Sequence, residues 1–113
     1  MNIEAKLIGY LKATLETDYV YAEVPENAPQ EFFVIDKTGS FTENHIYTST
    51  VAIQSYAKSK LRASELNEEL KEAMEGFLYQ DGISDCRLDT DYNFSNITKK
   101  QHRYQAVYEI THY

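Results

Sequence analysis

A chain of 113 residues, 42% hydrophobic and 26% charged, has the balance of one globular domain spanning residues 1–113 and not of a disordered segment. Its 18 acidic against 11 basic residues leave a net charge of −7, which argues against a dedicated DNA or RNA binder, whose affinity comes from neutralising phosphates. No apolar run approaches the roughly 20 residues of a membrane span, and the N-terminus lacks a signal-peptide pattern, so the chain is expected to be soluble, off the membrane and made inside the cell.

Ile3, Leu7, Leu11 and Leu15 recur every four residues, with Ile8 beside them, and predict an amphipathic helix over roughly Asn2 to Thr17. Tyr19 to Val24 reads as a short strand stopped by Pro25. Two prolines four apart, Pro25 and Pro29, mark a loop. Glu31 to Thr38 is aromatic and β-branched, and predicts a second strand. A polar connection is expected from Gly39 through His45. Ile46 to Tyr56 then alternates as the longest strand, with Tyr47, Ser49, Val51 and Ile53 on one face and Thr48, Thr50, Ala52 and Gln54 on the other.

A second helix starts near Ser59, a good N-cap, with Ser64 as a competing start. Ala63, Leu66, Leu70, Ala73 and Phe77 share one stripe with Met74 at its edge. Because Phe77 and Leu78 continue the apolar pattern, the helix is expected to run on toward Gly82, with Gly76 as the alternative end. Ile83 to Tyr92 is a fourth strand, Asn93 to Lys100 a polar loop, and Arg103 to Tyr113 a final strand with Tyr104, Ala106, Tyr108 and Ile110 facing one way. The fold class is therefore α+β, in the order α-β-β-β-α-β-β: a mostly antiparallel five-stranded sheet with two helices on one face.

Glu65, Glu68, Glu72 and Glu75 form an acidic face on the second helix, opposite Leu66 and Leu70. Such a row can bind a divalent cation or supply acid/base chemistry, but it is more commonly the solvated side of a surface helix, and no histidine accompanies it at ligand spacing. Asp89-x-Asp91-x-Asn93 opens like a calcium loop, then puts Phe94 where glycine is needed and Lys100 where a bidentate glutamate is needed. His45, His102 and His112 are assigned to separate elements, as surface or strand residues. The single cysteine, Cys86, rules out an intrachain disulfide and a thiolate cluster, and reads as a small buried residue. The two Asn-x-Ser/Thr triplets at Asn93 and Asn96 mean no more than a polar loop without secretion. No nucleophile-elbow, P-loop or dinucleotide motif is present, so no cofactor is expected and an enzyme is the least favoured class.

Lys99, Lys100, His102 and Arg103 make the one basic cluster, able to touch phosphate or an acidic partner surface, though such a cluster before a strand is usually gatekeeping and solubility. Ten tyrosines fit half-buried strands and also fit protein interfaces. The candidate interface residues are Gly39, Ser40, Phe41, Asn44 and His45 in the first polar connection, and Asn96, Lys99 and Lys100 in the second.

Four segments carry a family likeness: PENAPQEFFVIDKTG (Pro25 to Gly39), VAIQSYAKSKLRASELNEEL (Val51 to Leu70), DCRLDTDYNF (Asp85 to Phe94) and RYQAVYEITHY (Arg103 to Tyr113). In this arrangement the chain resembles the tail terminator and tail-to-head joining proteins of long, non-contractile-tailed phages, including minor tail proteins of prophages in low-GC Gram-positive bacteria. The resemblance implies a non-enzymatic virion protein that forms a sixfold ring on the head-proximal end of the tail tube. Its partners would be further copies of itself, the major tail tube protein and a head-tail connector or neck protein. DNA would pass its channel without specific binding, a use for the negative charge. The resemblance fixes no site residue. A neighbouring connector or head-closure subunit, or an acidic inhibitor that mimics DNA, are the alternatives.

Overall fold

Two side-chain caps set the helices. Asn2 accepts a hydrogen bond from the Ala5 amide (3.1 Å) and opens α1 (Ile3–Thr14), while Ser59 accepts from the Arg62 amide (3.1 Å) and opens α2 (Lys60–Met74). Ser59 is therefore the start, not Ser64. The computed structural model, which describes residues 1–96, 98–99 and 101–113, adds strands β1 (Val20–Tyr21), β2 (Phe32–Glu43), β3 (Ile46–Ala57), β4 (Ile83–Asn93) and β5 (His102–His112). The order is α-β-β-β-α-β-β, as the sequence predicts.

The strands form a five-stranded sheet in the order β1-β2-β3-β5-β4. Every neighbouring pair is antiparallel except the first, where Val20 and Tyr21 run parallel to Phe33 and Val34. Both helices cover one face. Ile3, Leu7 and Leu11 of α1 and Leu66, Leu70 and Phe77 from the α2 side join Phe33, Ile35, Val51, Ile53, Ala106, Tyr108 and Ile110 of the sheet in one core. Tyr10 ties the helices together: its hydroxyl donates to the Ala73 carbonyl (2.7 Å) and its ring meets Phe77 edge-on at 5.1 Å. Gly76 leaves room for that contact: a β-carbon there would stand 2.6 Å from the Tyr10 hydroxyl and push it off the Ala73 carbonyl.

Four boundaries differ from the sequence expectation. α1 stops at Thr14, and Glu16 turns the chain through a left-handed conformation (φ 52°), which shortens the first strand to two residues. α2 ends at Met74 instead of running to Gly82. A 3-10 turn, Phe77–Tyr79, follows and keeps Phe77 in the core, which is why the apolar pattern outlasts the α-helix. Gly82 instead supplies a positive φ (81°) for the turn into β4.

The fourth difference matters most for function. Gly39, Ser40 and Phe41 do not lie in a polar connection. They extend β2, with a register shift between Lys37 and Gly39, and pair with Thr50, Ser49 and Thr48 of β3. The connection is only Asn44-His45, both at positive φ (51° and 64°), as a two-residue type I′ hairpin loop requires.

Candidate functional site

The structure separates the two groups of interface candidates. Asn44 and His45 stand at the tip of the β2–β3 hairpin, whereas Asn96 and Lys99 lie beyond the other end of β3, where Ala57 pairs with His102. Twelve strand residues, about 40 Å at ~3.3 Å each, part them. Lys100 lies outside the described residues, as does Ile97 within the second Asn-x-Thr triplet.

At the hairpin tip, Phe41 is 63% exposed, Ile46 40% and Tyr47 43%. From Asp36 onward every β2 residue is exposed, and β1 pairs only with Phe33 and Val34, so among the described residues the outer edge of this half of β2 has no strand partner, its Lys37 amide being met only by the Glu4 carboxylate (3.5 Å). Such an edge is a ready template for another chain. Behind the tip, His112 is buried, its Nε2 3.0 Å from the Ser49 hydroxyl and its ring stacked 5.6 Å from Tyr47. Burial holds this imidazole below the ordinary histidine range. His112 is thus an interior residue, and it shares β5 with His102, so the three histidines do not sit on separate elements.

The sheet face without helices carries a network that the sequence does not reveal. Phe32 stacks on Tyr56 at 4.4 Å, and Tyr21 meets Phe32 edge-on. Arg103 donates to the Tyr56 hydroxyl (3.0 Å) and to the Phe94 carbonyl (2.7 Å), with its guanidinium 4.4 Å from the centre of the Phe94 ring. Tyr56 donates to Gln54, Gln54 to Gln105, and Gln105 to Tyr92, at 2.9, 2.8 and 2.6 Å. The chain of donors crosses β3, β5 and β4. Its members satisfy one another where no helix covers them, which fixes the face as a rigid platform.

Among the clefts that flank α2 on the helical side, two carry charged rims of both signs. The first, about 520 Å³, has an apolar floor of Leu15, Tyr19, Pro29, Phe33 and Leu66. At its rim Arg62 donates twice to Glu31 (2.8 and 3.2 Å) and lies 3.9 and 3.7 Å from Glu65 and Glu69. The Arg62 hydrogen bond holds the Glu31 carboxyl below the usual carboxylate range. The second cleft, about 650 Å³, is lined by Lys71, Met74, Glu75, Cys86, Leu88 and Tyr108 among others. Burial, with Asp85 adding to it, pushes the Cys86 thiol up to about 12, so at neutral pH it is a protonated packing residue and not a nucleophile.

Glu65, Glu68, Glu72 and Glu75 are all exposed, as an outer helix face predicts. Glu68 is drawn to Lys71 (2.9 Å), which also holds Asp91 (2.9 Å). Among the described residues no three histidine, cysteine or acidic side chains come together to hold a metal ion. The calcium-like triplet is part of β4, and its Asp91 is held by Lys71 and by the amide of Asn67 (2.8 Å). Asn67 sits on the buried stripe of α2, a polar position that the helical period alone reads as apolar. No helix among the described residues is long and apolar enough to cross a membrane.

No protein-family model matches this chain, and no curated protein matches it in sequence.

Proposed function

We propose that this chain is a structural subunit of a phage or prophage tail, a tail terminator that assembles as a ring on the head-proximal end of the tail tube. The observation that carries the reading is the β2–β3 hairpin: an outstretched pair of strands with an outer edge free of a strand partner among the described residues, and exposed apolar side chains at its tip, Phe41 and Ile46 on the helix-free face and Tyr47 on the other. Exposed apolar side chains grouped on a strand edge are what a protein contact surface provides. The tail assignment itself comes from the likeness of the four segments quoted above. Gly39, Ser40, Phe41, Asn44 and His45 belong to this hairpin and are its contact residues toward the tube or the next subunit.

In this reading the work is geometric. The ring must match the open end of the tube and offer no surface on which a further tube subunit can add. The test is electron microscopy of tails made with the protein, without it, and with Phe41→Asp. Loss of the protein and the Phe41 variant should both give overlong, headless tails. Normal tails without the protein would overturn the function. Normal tails with a folded Phe41→Asp subunit would remove only the hairpin tip from it.

A further inference from the structure

We propose that the cleft between α1, β2 and α2 receives the β4–β5 loop of a second copy of this chain, so that one contact, repeated head to tail, links the subunits. This rests on the ring reading above and names the surfaces that would join.

The sheet order places the two partners. Tyr19, Glu31 and Phe33 of the cleft adjoin β1 and the start of β2, at one edge of the sheet. The loop joins β4 to β5 at the opposite edge. Both lie at the same end, since Phe32 pairs with Tyr56 and Tyr56 with Arg103. A subunit with donor and acceptor on opposite flanks, level with each other, makes a heterologous contact, which closes into a ring when the rotation per subunit divides a full turn.

The chemistry of the two surfaces is complementary. At the rim two carboxylates, Glu31 and Glu69, share the single guanidinium of Arg62, which leaves one net negative charge over the floor, and Glu65, 3.9 Å from Arg62, adds a further carboxylate just outside the lining. The cleft's volume of about 520 Å³ lies within the ~300–1,000 Å³ of pockets that enclose a ligand. The loop presents the opposite: the exposed ammonium of Lys99 and the part-exposed Phe94, whose ring packs against Arg103 and Tyr92 and leaves its remaining surface to solvent. Among the described residues no carboxylate lies within ion-pair distance of Lys99. The loop's described residues hold Phe94 and Lys99 in place. Asn96 and Gln101 exchange backbone hydrogen bonds (2.8 and 2.9 Å), the Asn96 side chain accepts from the Lys99 amide (3.2 Å), and Arg103 pins Phe94. An apolar ring beside a cation fits an apolar floor beside carboxylates.

A charge exchange tests this on the full chain. Glu69→Lys, Lys99→Glu and the double variant are compared with the natural protein by mass photometry, free and on purified tail tubes, with circular dichroism to show that each is folded. Each single variant should weaken association about three- to fivefold per joint, repeated at every joint of a ring, and the double variant should restore it. Singles that assemble like the natural protein, or a double no better than the singles, would overturn the contact while leaving the ring intact. A Glu69→Lys variant that forms rings but fails to seat on tubes would assign the cleft to the tube protein and equally overturn it. A natural protein that stays monomeric both free and on tubes would defeat the ring reading, and this contact with it.

Discussion

His45 adopts a conformation that glycine tolerates better than histidine does. Its φ of 64°, next to Asn44 at 51°, is the left-handed geometry that a two-residue hairpin loop imposes, and glycine is the residue that adopts it without a β-carbon clash. His45→Gly should therefore raise stability by about 0.5–1 kcal/mol, the relieved strain outweighing the added freedom of the unfolded chain. Denaturant melts of the two proteins check it, and a less stable variant would mean that the His45 ring makes contacts worth more than the strain. His112 gives a second expectation, in pH. Burial lowers its pKa; the N-terminal ammonium and Lys37 act in the same direction, and a backbone contact with Tyr113 opposes them. As pH falls through about 6.5, the unfolded chain takes up the proton before the folded one does. The contribution of His112 is thus complete above that value and declines as pH falls toward its lower folded-state pKa. His112→Gln should flatten the fall in stability between pH 7.5 and 5. An unchanged slope would place the titrating group elsewhere.

Packing decides the elements. Leu70 is fully buried between α2 and the sheet, so Leu70→Ala should cost about 2–5 kcal/mol, transfer and cavity terms together. A loss below half a kilocalorie would mean that the site collapses around the deletion. Tyr10→Phe removes one hydrogen bond to the C-terminal turn of α2 and should cost about 0.5–1.5 kcal/mol in the same melts. The α2 stripe was legible in the sequence because Ala63, Leu66, Leu70, Ala73 and Phe77 keep helical spacing with one face buried. The outer half of β2 was not. Gly39-Ser40-Phe41-Thr42-Glu43 is exposed throughout, so no burial writes an alternating pattern into it, and what makes it a strand is its ladder to β3. The donor chain through Gln54, Gln105 and Tyr92 was invisible for a related reason. Gln54 and Gln105 are 51 positions apart, and only the β3–β5 register makes them neighbours. The Asn44-His45 turn left a weak signal, asparagine and histidine being among the few non-glycine residues enriched at positive φ.

For the whole molecule the open question is where the negative charge goes. The sheet's helix-free face carries aromatics, amides and Arg103 with scattered acids, Asp36, Asp85 and Glu109, the last two beside Arg87, while α2 turns the unbroken row Glu65, Glu68, Glu72 and Glu75 to solvent. If the chain forms the ring proposed above, the acidic face of α2 is the surface suited to its channel, because phosphates are repelled by carboxylates and held by lysines. Glu72 and Glu75 are the best probes: among the described ion pairs neither has a cationic partner, so reversing them leaves the Arg62 and Lys71 clusters intact. Glu72→Lys with Glu75→Lys moves the net charge from −7 to −3, two reversals of two charges each. The double variant should fold, assemble and terminate tails at normal length. It should also bind duplex DNA in a mobility-shift assay at low salt, lose that binding as salt rises, and slow DNA exit from finished particles. Particles that release DNA at the normal rate, with no shift by the isolated variant, would place α2 on the outside of the ring and leave the channel to another face.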